Sequence, residues 1–133
     1  MYYNYAKKFN KFGAKKREVN GITYHSGREA QEAEDIELMK KAGVITEWRR
    51  QVKLPLDVNG HHITNYFIDF ILYYPDGKIE LREVKGMVLD TFRNKWSLLE
   101  AILVKNSQDR KRIYEAIGYK NPKKHRIEMI IVK

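Results

Sequence analysis

The chain is 133 residues long, has no cysteine and carries a formal net charge of +9. That length suits one domain with a real core; the missing cysteines exclude disulfides and thiolate zinc sites, which fits a reducing cytoplasm. No stretch approaches the roughly 18–20 apolar residues of a membrane span, and no signal peptide, repeat or low-complexity segment is evident.

Charge is unevenly placed. Residues 1–17 hold six basic side chains and no acidic one, residues 105–126 hold eight basic and two acidic, and the stretch 18–104 nets −3. Basic flanks around an acidic centre suit a chain that grips a polyanion and does metal chemistry between the grips.

Residues 1–17 interleave Tyr2, Tyr3, Tyr5, Phe9 and Phe12 with Lys7, Lys8, Lys11, Lys15, Lys16 and Arg17 without a clear period. They form an arm whose aromatics either stack on bases while the cations meet phosphates, or dock on the protein body or a partner subunit. Asn20-Gly21 between short β-prone pieces marks a small hairpin. Ser26-Gly27-Arg28-Glu29 is a capping box opening a helix that runs to about Ala42, with Gly43 as its stop. Ala30, Ala33, Ile36, Met39 and Ala42 make its inner stripe; Glu29, Glu32, Glu34, Asp35 and Glu37 make it acidic.

Val44 to Val58 is strand-like, and Pro55 places it at a sheet edge or ends it there. Gln51 lies within it, with no role that the sequence derives. Asn59-Gly60 is a turn, and the neighbouring His61 and His62 face opposite ways in extended chain, as surface residues.

Asn65 to Gly86 is two strands joined by a turn, with a carboxylate within each. Pro75 lacks an N–H and so suits the first central position of a type I turn, with Gly77 in the left-handed position that follows. A three-residue Pro75-Asp76-Gly77 loop sets Tyr74 opposite Lys78 and, counting back, Asp69 opposite Glu83. Lys85 returns to the same face two residues later. Asp69 interrupts the apolar run Phe67-Ile68-Asp69-Phe70-Ile71. A charge there is costly unless it is ion-paired, with Lys85 or Arg82 as partner, or metal-bound. Two carboxylates that close call for a positive charge between them, and Mg²⁺ is the natural candidate.

A second helix follows, with Phe92, Trp96, Leu99 and Leu103 on one face and Leu98 and Ile102 widening it. Arg93 and Lys95 sit near its start, where they could meet a phosphate. Asp109 to Ile117 is a short helix ending at Gly118, Asn121 to Lys124 a basic turn, and Arg126 to Val132 a last strand.

Asp69 followed by Glu83-x-Lys85 on adjacent strands resembles the PD-(D/E)XK nuclease superfamily, which includes restriction endonucleases and archaeal-type and phage Holliday junction resolvases. Ile68 stands where that motif has proline, and the literal Pro75-Asp76 belongs to the turn tip. The Ser-x-x-Glu-Ala helix start and its Lys-Ala-Gly end also resemble small phage-encoded proteins assigned to the superfamily, in which a glutamine is frequent at the position of Gln51. The resemblance runs from Val19 to Val132. It implies an α+β, restriction-endonuclease-like core: a mixed central sheet flanked by helices in the order αβββαβ. The chain would then divide into the arm 1–17 and a single nuclease domain, 18–133.

The resemblance further implies phosphodiester hydrolysis with Mg²⁺, Mn²⁺ able to substitute, leaving 5′-phosphate and 3′-hydroxyl ends. Asp69, Glu83, the Val84 carbonyl and Glu29 would hold the metal, with Glu32 as the alternative to Glu29, and Lys85 would act on the attacking water. Lys95 would add a polar contact to the site. Apart from the resemblance, which does not reach the arm, the basic character of the chain assigns DNA binding to Lys7, Lys8, Lys11, Lys15, Lys16, Arg17, Lys95, Lys123 and Lys124. The expected substrate is a four-way DNA junction, nicked symmetrically by a homodimer in the cytoplasm. Other expectations are a flap, transposition or packaging endonuclease, a non-catalytic nucleic-acid-binding protein, or a structural protein of an RNA–protein assembly.

Overall fold

Two long antiparallel strands, β3 (Glu47–Val58) and β4 (His61–Tyr73), dominate the fold. The structure is a computed structural model that describes residues 17–19, 22–24, 27–86, 88–105, 108–120 and 124–133, with backbone alone at 17–19, 22–24 and Lys105. The chain divides into two compact units, Met1–Ile45 and Thr46–Lys133.

In the first unit, β1 (Arg17–Val19) and β2 (Ile22–Tyr24) pair antiparallel, with Val19 opposite Ile22 across Asn20-Gly21 as expected. Helix α1 (Gly27–Lys41) follows; Ser26, the expected cap, lies outside the described residues. Ala30, Ala33 and Ile36 are buried as the stripe predicts. The stripe is corrected at both margins: Ala42 is exposed, and Glu32 is buried beside the alanines.

The second unit is built on a four-stranded mixed sheet in the order β3-β4-β5-β6, with β5 spanning Ile79–Val84 and β6 spanning Ile127–Val132. β3, β4 and β5 form an antiparallel meander, and β6 joins β5 in parallel after helices α2 (Asp90–Lys105) and α3 (Arg110–Ile117). The order helix, three strands, helices, strand is the αβββαβ order of an α+β, restriction-endonuclease-like core. Pro55 is tolerated because β3 is an edge strand.

One sheet face carries the core. Leu54, Leu56, Tyr66, Ile68, Ile71, Ile79 and Leu81 pack against Phe92, Leu99, Ile102 and Leu103 of α2 and Ile113, Tyr114 and Ile117 of α3. Each fully buried Leu or Ile contributes about 1.5–3 kcal/mol. Helix α3 ends at Gly118, whose φ of 73° allows the left-handed stop, with Tyr119 N–H returning to the Tyr114 carbonyl at 2.8 Å. At the helix's other end the Asp109 carboxylate accepts from Asn59 N–H at 2.6 Å and Gly60 N–H at 2.8 Å, pinning the β3–β4 turn.

β3 and β4 are longer than the sheet they belong to. β4 pairs with β5 only from Phe70 to Tyr73, whereas its pairing with β3 continues to His61. The stretch from His61 to Ile68 thus forms a two-stranded ribbon with β3, running beyond the ends of β5 and β6.

Candidate active site

The Pro75-Asp76-Gly77 turn fixes the site. Gly77 has φ 93°, and Tyr74 N–H donates to the Lys78 carbonyl at 2.9 Å, so Tyr74 and Lys78 are opposite as the sequence requires. The exposed Asp76 pairs with Arg126 at the turn tip, apart from the other carboxylates. From Tyr73↔Ile79 the register runs back to Phe70↔Arg82, and one step further it sets Asp69 opposite Glu83.

At that step the carboxylates take over the ladder. Asp69 N–H donates to Glu83 Oε1 at 3.2 Å, and Val84 N–H donates to Asp69 Oδ2 at 3.0 Å. Lys85 Nζ lies 3.3 Å from Glu83 Oε2 and 5.0 Å from the centroid of the Phe92 ring. The three side chains converge on one patch, as the alternation predicts. The expected ion-pair alternative through Arg82 is not what forms: Arg82 binds Glu80, with Nε 2.6 Å from its Oε2.

Asp69 is 8 % exposed and Glu83 2 %. Burial raises Glu83 first, and the neighbouring Asp69 charge adds to it; Lys85 and the Tyr66 hydroxyl oppose, and the carboxyl ends up at about 8. Asp69 is raised by burial against the Val84 N–H, the Lys85 charge and its hydrogen bonds to Glu83 and Gln51. One lysine does not neutralise two buried carboxylates. Their oxygens, hard donors in a shielded place, could hold a hard divalent cation.

Gln51 is the site residue that sequence reasoning missed. It sits opposite Asp69 between the pairs Arg50↔Phe70 and Val52↔Ile68, and its Nε2 donates to Asp69 Oδ1 at 3.0 Å. Its φ is 51°, a left-handed conformation that a glutamine enters only under constraint. The pleat resets around it. Val52, Leu54 and Leu56 face the core cluster, but Trp48 lies against Phe70, 5.8 Å between centroids, outside that cluster. On β4, Tyr66 and Ile68 face the cluster and so does Ile71, so the alternation shifts at Asp69 and Phe70. No residue is inserted, since the register is the same on both sides of the step. No glycine or asparagine in Glu47–Val58 signals a left-handed residue; the one hint was the resemblance, in which a glutamine is frequent at this position.

Glu29 and Glu32 lie on α1 in the first unit, Glu29 half-buried and Glu32 buried. Among the described residues, no group of three or more His, Cys, Asp or Glu side chains is arranged to hold a metal ion. The carboxylates that the described geometry gathers are Asp69 and Glu83.

Of the expected DNA contacts, Lys95 lies near the site, its Nζ donating to the Asn65 carbonyl at 3.3 Å, and Lys124 is exposed. Arg93 ion-pairs with Asp90 at 3.8 Å. Lys7, Lys8, Lys11, Lys15, Lys16 and Lys123 lie outside the described residues, as does the Arg17 side chain. His61 and His62 are surface residues as expected, yet His62 Nδ1 is 2.7 Å from Oδ1 of the buried Asp57.

Residues 9–121 match a family model described as a protein of unknown function, DUF1064. The chain belongs to the DUF1064 family. The matched span of this DUF1064 chain takes in Gln51, Asp69, Glu83 and Lys85 together with α1, α2 and α3. No curated protein and no solved structure matches it.

Proposed function

We propose that this chain is a divalent-metal-dependent, structure-selective endodeoxyribonuclease of the PD-(D/E)XK type, acting as a homodimer that nicks four-way DNA junctions in pairs. The observation that carries the reading is the buried Asp69–Glu83 pair with Lys85 beside it. Buried carboxylates in an ordinary core are matched by cations, and this pair is left under-compensated on a chain of net charge +9. Two symmetric nicks call for two sites, hence a twofold dimer.

Asp69 and Glu83 would hold Mg²⁺ or Mn²⁺, with the Val84 carbonyl. Such an ion supplies Lewis-acid polarisation and neutralises charge on the phosphate. The chain's own residues do the rest. Gln51 and Val84 N–H each hold one Asp69 oxygen, which fixes the plane of that carboxylate. Lys85, held by Glu83 and the Phe92 face, orients the attacking water and donates to a phosphate oxygen as charge develops. Water oxygen bonds to phosphorus, the bond to the 3′-oxygen breaks, and 5′-phosphate and 3′-hydroxyl ends result.

The test is cleavage of a labelled four-way junction, a matched duplex and a flap, with Mg²⁺ or EDTA, by wild type and Asp69→Asn. Paired nicks on the junction, absent in EDTA and in the variant, are expected. Equal cutting of flap or duplex would retain the chemistry and discard the junction. Tight binding without cutting under Mg²⁺ or Mn²⁺ would leave a non-catalytic nucleic-acid-binding protein.

A further inference from the structure

Among the described residues, the ribbon beyond β5 and β6 has one face on the core and one face uncovered. Leu54, Leu56, Tyr66 and Ile68 point inward, so Lys53, Pro55, Asn65 and Phe67 point away from that core. Phe67 is 49 % exposed and Ile63 54 %. Lys53 is exposed directly opposite Phe67, and Phe67 is two residues from Asp69.

This face continues into an open groove of about 640 Å³ lined by Lys53, Pro55, His62, Asn65, Arg112 and Glu115. Two of the lining residues, His62 and Arg112, are tethered to a carboxylate outside the lining. Asp57, 2 % exposed, accepts from Arg112 Nη1 at 2.5 Å and lies 2.7 Å from His62 Nδ1. The carboxylate fixes both basic heads, while 58 % of the Arg112 side chain and 47 % of that of His62 remain exposed. Lys95 borders the same stretch through the Asn65 carbonyl. From Asp69 to His61 the ribbon spans about 26 Å at about 3.3 Å per residue, room for several nucleotides.

We propose that the open face of the β3–β4 ribbon binds an unpaired nucleic-acid strand, Phe67 stacking on a base and Lys53, His62 and Arg112 meeting its phosphates. An exposed aromatic beside a cation is the pattern that binds single strands without reading sequence, because every base offers a face to stack on. An unpaired base is required, since a duplex keeps its bases stacked on one another. Asp57 and Glu115 balance Lys53 and Arg112, and the bordering Lys95 adds the one surplus positive charge, so affinity comes more from stacking than from phosphates. The proposal stands apart from the nuclease reading, since the bound strand need not reach Asp69.

The test is fluorescence anisotropy in EDTA with a labelled oligothymidine and with a blunt duplex of equal length, alongside the cleavage assay. Phe67→Ala is expected to weaken single-strand binding about tenfold and Phe67→Trp to keep it, with duplex binding unchanged by either. Lys53→Ala is expected to reduce the salt slope of single-strand binding by about 0.7, the share of one phosphate. Because both side chains are exposed, unchanged melting curves would confirm intact folding. Single-strand binding unaffected by Phe67→Ala, or an equal loss on duplex, overturns the proposal even if wild type cuts junctions. Loss confined to single strands upholds it even if wild type cuts nothing, and then the nuclease reading alone falls.

Discussion

Two regions of the same ribbon bury carboxylates, and they do so on opposite terms. At the far end, burial pushes Asp57 up, but hydrogen bonds and charge from His62 and Arg112 outweigh it and hold the carboxyl below its usual value. At the sheet end, burial and mutual repulsion win, and Asp69 and Glu83 are both raised. Glu80 is also buried, and it is paired with Arg82 and the Tyr74 hydroxyl. Burial of an acid is therefore not by itself the mark of a site in this molecule; burial left without enough positive charge is.

The sharpest break between the regions is in activity. Glu83→Gln and Lys85→Ala are each expected to lower the cleavage rate at least about 10³-fold, measured on saturating junction in Mg²⁺. The next is a pH signature of opposite sign. Without metal, folded Glu83 holds its proton up to about 8 while the unfolded chain releases it near 4.5. The folded state binds more protons across that window, so its stability falls as pH rises from 4.5 to about 8. Melting in EDTA is expected to drop by about 5–10 °C between pH 5 and 8.5, and Mn²⁺ is expected to restore most of it at the upper end. Asp57 runs the other way: its contribution is present above 3.8 and fades as pH falls below that value.

Substitution separates them again. Asp57→Asn is expected to cost about 1–2 kcal/mol in urea melts, a value discounted for the exposure of Arg112 and His62. Glu83→Gln in EDTA at pH 8 is expected to raise the melting temperature, because it removes one of two repelling charges. The smallest effect is the most diagnostic. Gln51→Gly relieves the left-handed backbone and is expected to gain about 0.5–1 kcal/mol of stability while weakening Mn²⁺ binding about tenfold. A glycine variant that lost stability would make Gln51 a packing residue instead.

The sheet end was legible because one residue without an N–H set the turn, the turn set the register, and the register brought Asp69 to Glu83. That chain of inference is local, confined to Asn65–Gly86. The first helix and the α2 core face followed from periodicity in the same way. The far end was not legible. Asp57 meets Arg112 across 55 positions of sequence, and Asp109 meets the Asn59-Gly60 turn across about as many. Nothing in either segment announces its partner. Gln51 failed for another reason: its left-handed backbone is imposed by the neighbouring strand and contradicts local preference, so propensity points the wrong way at the residue that matters.

The parallel β5–β6 pair has a temporal consequence. Asp69, Glu83 and Lys85 are joined by a three-residue hairpin, whereas β6 reaches β5 only after α2 and α3 have been laid down. Hairpins close in about 1–10 μs, and distant pairings wait on loop-closure entropy. During folding the two acids thus meet early, before the sheet that buries them is complete. In water both acids are ionised and repel only weakly; as β6 docks and the solvent leaves, burial favours the protonated form of Glu83. The last strand to join is the one that puts a proton on the pair.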